Sequence, residues 1–429
     1  MRLIIFDTHP TSRRSFYPLV VSRPIYDLRC GMTTLAEKLI KKAGAVDVAF
    51  FAPEYLCESL RQRGDRRIND PAALHGPDLL LLNARLKPEA LEKIDRRGPS
   101  VCGHDEHGEM MFAWIRHADQ LLVNADSVES MLESARCNLP SPMIDLPAWR
   151  YAWELVLHNT ELITADFAAA GRHGVEGVIQ QPFVHLGRPQ DLYIAPGATV
   201  QPMVVVESTK GPVYIDEGAE IQPFTRIEGP CYIGRKSILL GAKCREGMTI
   251  GPMCRIGGEV EESIIQGYSN KYHDGFLGHA FVGEWVNLGA LTTNSDLKND
   301  YGNVEVTLDG HRPINTGSMK VGALIGDHVK TSIGTLFNTG SYVGAMSLIM
   351  ATGKPLPKHI PEFSWLLDGV VTKGFGKAKL YETAKAAMGR RGVKWTAVDE
   401  AMWDQVYATT SEPRDEAIRR GRRQWAKAS

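Results

Sequence analysis

No CxxC pair occurs in this sequence, and its seven cysteines, at 30, 57, 102, 137, 231, 244 and 254, are an odd number for a disulfide framework. Reduced thiols of a cytoplasmic protein are the expected state. There is no apolar run of membrane-spanning length, and the opening "MRLIIFD" is too short and lacks the form of a signal peptide. A membrane is therefore not an expected partner. Net charge is −1, so the basic excess of a generic nucleic-acid binder is missing too. Neither GxxxxGK[ST] nor GxGxxG is present, which removes the P-loop and the dinucleotide fingerprint. What remains is 429 residues, 43% of them apolar, enough for the cores of two or three domains.

The second half counts in sixes. Aliphatic residues fall at Ile194, Val200 and Val206, then at Ile215, Ile221, Ile227, Ile233 and Leu239, then at Ile250 and Ile256. Phe276, Val282 and Leu288 follow, and a last phase holds Ile325, Thr331, Phe337, Val343 and Ile349. Glycine directly follows seven of these, as at Gly251 and Gly344. A helix repeats at 3.6 and a flat strand at 2, so neither explains the count. A triangular coil does, with three six-residue units per turn and each aliphatic residue pointing into the prism. The glycines are expected to let the backbone bend at the corners. Eighteen phased positions, three per coil, predict about six coils. A β-sandwich with accidental spacing is the alternative. The count lapses between Ile256 and Phe276 and between Leu288 and Ile325, which predicts two insertions on the functional face.

The first half reads differently. Leu3–Asp7, Val46–Ala52 and Asp78–Ala84 are continuous apolar runs suited to buried parallel strands, with helical stretches at Thr33–Lys42 and Tyr55–Arg63. This alternation predicts an open α/β sheet. In the loop "SRPIYDLRCGMTTLAEK", Arg23, Arg29, Gly31 and Lys38 stand before and within a helix, and a phosphate cradle or a solvated face both fit. Trp149–Phe167 reads as a helical connector. The tail from Gly369 carries thirteen Lys and Arg against seven Asp and Glu, with Val398, Met402, Val406 and Tyr407 as an apolar stripe. A solvated helix face or a role near an anionic ligand are its two readings.

Together the halves resemble the GlmU-like family, a sugar nucleotidyltransferase in front and a glucosamine-1-phosphate N-acetyltransferase-type left-handed parallel β-helix behind. The stretches that carry the likeness are "SRPIYDLRCGMTTLAEK", "LLLLNARL", "WELVLHNTELITADF", "FLGHAFVGEWVNLGALTTNSDLKNDYG" and "TGSMKVGALIGDHVKTSIGTLFNTGSYVG". They reach to about Trp365, and the likeness is strongest to a divergent branch. The expected organisation is a nucleotidyltransferase-like domain over 1–146, a helical connector over 147–182, a β-helix acyltransferase domain over 183–362 and a helical tail over 363–429. A homotrimer with sites shared across subunits follows by the same analogy.

The resemblance implies acyl transfer, in the first place acetyl transfer, from acyl-CoA to an amino sugar or sugar phosphate. His273 falls on the family's catalytic histidine and Asn287 on an asparagine near the acyl group. Phe276 stands where better-known enzymes have tyrosine. Arg245 falls on a sugar-phosphate arginine, Asn294 on a substrate-contacting asparagine, and Lys298 near an anion-site lysine. Ser295 replaces a tyrosine, and Glu261 lies where another phosphate-binding lysine is expected, so the acceptor departs from glucosamine 1-phosphate. In front, the family's GxGTRM…PK loop is absent, and Asn83-Ala84-Arg85 replaces Asn-Gly-Asp, whose aspartate holds Mg²⁺. Asn83 and Arg85 join the loop residues as the nucleotide and phosphate site. Asp7, Asp27 and Asp105 are the substitutes for the lost carboxylate, and whether this half turns over a sugar nucleotide stays open.

The chemistry agrees with these residue types. Thioester-to-amine transfer needs a base for the amine and donors for the oxyanion. Histidine's ordinary pKa suits the first, and an asparagine amide with backbone N–H groups suits the second. Two rivals stand beside this reading. One is a trimer that binds a sugar nucleotide without catalysis. The other is a γ-carbonic-anhydrase-like metal hydratase using His273, His279 and His328.

Overall fold

The computed structural model describes residues 1–428 in two units. The first comprises Met1–Phe16, Ser22–Leu28 and Thr33–Arg150, and the second Tyr17–Val21, Arg29–Met32 and the chain from Tyr151 onward.

In the first unit the three apolar runs form parallel strands, Val48–Phe51, Arg2–Phe6 and Leu79–Asn83, in that order across a five-stranded sheet. Leu79 to Leu82 are fully buried, as a strand covered on both faces requires. An antiparallel pair unanticipated from sequence, Met110–Ile115 and Val101–His104, completes the sheet. The helix Leu35–Ala43 starts with a capping box between Thr34 and Glu37 and stops at Gly44 in the left-handed conformation. After the break at Arg150, the expected connector is two helices, Ala152–Leu157 and Asn159–Ala170.

The second unit contains a parallel β-solenoid that fits a left-handed β-helix, followed by the helices Gly376–Gly389, Ala397–Thr409 and Ser411–Ala428. One wall stacks ten strands, from Gly174–Val175 to His359–Ile360, rather than the six expected. The first of them precedes the expected start at 183. On this wall the aliphatic residues stack in register, Ile233 on Ile250, Ile265, Val282, Ile325, Val343 and Ile360. They form one buried core along the prism.

Two expectations about the repeat need correction. The lapse after Ile256 is no insertion. The coil runs on through Ile265, Lys271 and Leu277, and Lys271, 3% exposed, occupies an inward position paired with Ile256. A charged residue in phase hid the coil from an aliphatic count. Leu277 is the core residue, paired with Val260, while Phe276 sits one place off and half-buried. The second lapse is a true insertion, carrying the hairpin of Glu305–Thr307 and Pro313–Asn315.

The glycines act differently from expectation. Those after the aliphatic residues are not the bend, because a Cβ on Gly251 would overlap the Gln266 carbonyl oxygen and one on Gly344 the Glu362 nitrogen of the next coil. They allow coils to approach. The bend comes three residues after the aliphatic, where Met253, Tyr268, Trp285, His328, Met346 and Phe363 all have φ between 54° and 61°. Each such residue costs about 1–2 kcal/mol of backbone strain. Stacking down the corner offsets part of it, as between Tyr268 and Trp285, with ring centroids 4.4 Å apart. The C-terminal helices cover this ladder, Trp403 meeting His328 at 5.5 Å and Tyr407 meeting Phe363 at 5.0 Å.

Replacing Gly251 or Gly344 by Ala is expected to destabilise the protein by about 1–3 kcal/mol or more, read as a fall in thermal midpoint. Gly389→Ala, where an added Cβ meets open space, is expected to stabilise it by about 0.5–1 kcal/mol.

Candidate active site

A cleft of about 560 Å³ opens on the solenoid wall, lined by His273, Asn287, Asn270, Arg255, Arg390 and the backbone at Gly289. The local chain explains why His273 reaches it. Lys271 points into the prism and donates from Nζ to the Gly257 carbonyl at 2.8 Å and the His273 carbonyl at 2.7 Å. Burial lowers its pKa to about 8. With the backbone of His273 clamped from inside, its side chain stands exposed beside Tyr272. On the neighbouring coils Asn287 lies in parallel register between Asn270 and Lys330.

A smaller cavity of about 260 Å³ shares Asn270, Asn287 and Arg390 with the first and adds Tyr268, Lys330 and Arg391. Lys330 donates from Nζ to the carbonyls of Trp285 at 2.6 Å and His328 at 3.0 Å, and burial lowers its pKa to about 7. Among the described residues no Asp or Glu lines either cavity, while arginines line both. Such a surface favours an anionic ligand. Asn270, Arg255, Lys330 and the two arginines after the first tail helix escaped the sequence reading. The basic surplus of the tail and Lys271's place six residues from both Ile265 and Leu277 were the signals available.

The structure thus brings together His273 and Asn287, but not the other expected acyl-site residues. Arg245 pairs with Glu261 at 2.9 Å, so the charge of that arginine is answered by a carboxylate rather than left for a phosphate. Asn294 is buried, donating to the Gly278 carbonyl and accepting from its N–H, both at 2.9 Å. Lys298 pairs with Asp300 at 3.3 Å, and Phe276 lies against Gly278. His279 has Glu262 at Nε2 and Asp296 at Nδ1, both at 2.8 Å, which ties the insertion to the solenoid. His328 stacks on Trp285 in the corner ladder. Among the described residues of the single chain no group of three His, Cys, Asp or Glu side chains is arranged to hold a metal ion.

In the first unit a cavity of about 730 Å³ lies at the carboxyl end of Arg2–Phe6, walled by Thr8, His9, Ser12, Glu109, Leu132 and Arg136. Asn83 and Arg85 stand behind this wall. Arg85 donates to Thr8 Oγ1 at 2.9 Å and Glu109 Oε2 at 2.7 Å, while Asn83 donates to the Met110 carbonyl at 3.1 Å. Burial pushes against ionisation of Glu109, but Arg85 and the hydroxyls of Ser12 and Thr8 win and lower its pKa. The other loop residues do not converge here. Lys38 is buried and donates to Thr33 Oγ1, and the Arg23 carbonyl accepts from Arg13. Arg29 and Gly31 belong to the second unit, where Gln266 accepts from the Arg29 N–H and Asn159 from the Gly31 N–H. The residues of this stretch are thus divided between the two units.

The three aspartates expected to stand in for the lost carboxylate do not fit Mg²⁺. Asp7 accepts from Arg13 at 2.8 Å and from two backbone N–H groups, and its burial raises its pKa. Asp27 pairs with Arg66, and Asp105 caps His107 and Glu109 while facing Arg85 at 3.3 Å. Each of the three aspartates is thus engaged by donors, and none is left open to a hard cation.

The sugar nucleotidyl transferase family matches residues 3–173. The chain is similar to a bifunctional sugar-1-phosphate nucleotidylyltransferase/acetyltransferase of Sulfurisphaera tokodaii, 39% identical over 151 residues, covering 33% of this chain and 35% of that protein. It is also similar to the bifunctional protein GlmU of Methanococcus aeolicus, 32% identical over 151 residues (34% of this chain, 36% of the relative). A third relative is the GlmU of Methanococcus maripaludis, 36% identical over 93 residues and 22% of each chain. These matches support the GlmU-like resemblance. The chain spans about a third or less of the length of these curated relatives. No helix among the described residues is long and apolar enough to cross a membrane.

In this GlmU-like chain His279 gives a pH signature. Burial alone would lower its pKa, but the hydrogen bonds it donates to Asp296 and Glu262 outweigh it and raise the value to about 9. A folded value above the unfolded one, about 6.5, gives stability that is complete below the unfolded pKa and lost as pH rises through the folded one. The thermal-midpoint gap between the wild type and His279→Gln is expected to be widest near pH 6 and to close as pH passes about 9.

Proposed function

We propose that the chain transfers an acetyl group from acetyl-CoA to the amine of an amino sugar or sugar phosphate in the His273 cleft. The meeting of His273 and Asn287 in one cleft carries this reading. His273 takes the proton from the acceptor amine as it attacks the thioester carbonyl. Asn287 donates to the oxyanion, and as the tetrahedral centre collapses the thiolate leaves and takes back the proton held by His273. Holding donor and acceptor together supplies much of the acceleration. The arginine-lined, carboxylate-free walls suit the phosphates of the donor. Pairing of Arg245 with Glu261 supports an acceptor that carries its phosphate elsewhere or has none.

In the first unit the cavity beside Glu109 binds a sugar nucleotide, and transfer there is slow or absent because the cation-holding carboxylates are engaged. The functional form is a cytoplasmic homotrimer. Exposed apolar residues at the solenoid corners, Met203, Phe224, Leu291 and Ile333, support an interface between copies. Seven free cysteines, six of them buried, support a reducing compartment.

A screen of amino sugars and sugar 1-phosphates for thiol release from acetyl-CoA tests the acyl reading. His273→Ala is expected to keep its thermal midpoint, since the ring is exposed, and to lower kcat about a hundredfold or more. A folded variant at full rate would remove His273 as the base. For the first unit, calorimetry with nucleotide sugars is expected to give the same affinity with Mg²⁺ and with EDTA. Robust Mg²⁺-dependent pyrophosphate release from a nucleoside triphosphate and a sugar phosphate contradicts the inactive reading.

A further inference from the structure

We infer that Arg391 and Asn270 are positioning residues that turn the Asn287 amide so that its N–H groups, not its oxygen, face the His273 cleft. The inference rests on the acyl-transfer reading and adds the device that makes Asn287 a donor. Arg391 follows the tail helix Gly376–Gly389, and its Nη2 lies 2.6 Å from Asn270 Oδ1. A second bond runs from its Nε to the Met253 carbonyl at 3.4 Å. Asn270 Nδ2 lies 3.2 Å from Asn287 Oδ1 on the neighbouring coil.

The direction of this chain follows from chemistry. A guanidinium has five donors and no acceptor, so the atom of Asn270 that meets it must be oxygen. The other end of Asn270 is then the amide nitrogen, which only donates, so the atom of Asn287 that meets it must be oxygen as well. Asn287 is left with both amide hydrogens, and nothing among the described residues accepts them. Its neighbour on the other side, Lys330, gives Nζ to the Trp285 and His328 carbonyls and does not compete for the Asn287 oxygen. Without the arginine either asparagine could flip at small cost, since amide N and O are nearly isosteric. Oxyanion stabilisation requires the donor to be aimed before the charge forms. An inverted Asn287 would present a lone pair to the developing oxyanion and repel it.

Asn270→Asp separates this role from mere tethering of the tail. A carboxylate at 270 still accepts from Arg391, now as an ion pair, but it has no hydrogen to give Asn287, whose amide must turn over to donate back. Thiol-release kinetics on the full chain are expected to show kcat about ten- to a hundredfold lower, within what loss of an oxyanion donor costs. KM for acetyl-CoA is expected to rise less than kcat falls, and the thermal midpoint should not fall. Arg391→Met should lower kcat similarly, and Arg391→Lys, which still donates, should recover most of it. Asn270→Asp at the wild-type kcat, or a loss of kcat that tracks a loss of thermal midpoint, overturns the assignment. Neutron diffraction from deuterated crystals reads the orientation without turnover, with Nδ2 of Asn287 toward the cleft in the wild type and Oδ1 in Asn270→Asp. The same orientation in both sinks the relay alone, whereas a wild type silent with all acceptors sinks acyl transfer.

Discussion

Close stacking of coils governs the second unit. Each parallel pair, Ile250 with Ile265 and then Val282, Ile325 and Val343, brings backbone against backbone at strand spacing. The inward side chains fill the prism, and the residue beside them must often lack a Cβ, as at Gly251. Because every coil sits in register on the last, a side chain thrown outward at one corner has its neighbours set by the coils above and below. Asn270, Asn287 and Lys330 form a column for that reason. The cleft is thus a property of the stack rather than of any one loop.

The corners carry the cost of that regularity. Six large residues in the left-handed conformation, including Trp285 and His328, hold one edge. Such strain persists only where surroundings over-determine it. Here the aromatic ladder and the tail helices supply the surroundings, with Arg414 lying 3.9 Å over the ring of Tyr407. The covering helices also deliver Arg390 and Arg391 to the cavity walls. Stability of the corner and polarity of the site are therefore coupled through one segment.

In the first unit a single guanidinium organises the polar groups behind the cavity wall. Arg85 places a fixed positive charge among Thr8, Asp105 and Glu109. The guanidinium donates to both carboxylates and to the threonine hydroxyl, so the buried polar groups of this knot are satisfied by one another.

Much of the architecture was legible in the residues themselves. The six-residue count, the runs at Leu3 and Leu79 and the capping box of Thr34 with Glu37 report local direction, whether a side chain points inward or a helix begins, and neighbours in sequence decide that. His273 and Asn287 were legible through the family likeness. The rest required tertiary structure. Lys271 looked like a break in the repeat because a charged residue can face inward only when carbonyls wait for it, here those of Gly257 and His273. Phe276 looked like core, and stacking chose Leu277 instead. Arg391 lies 121 residues from the asparagine it orients. Periodicity says which way a residue points, but the partners of its polar atoms come from distant segments and exist only once the coils have stacked.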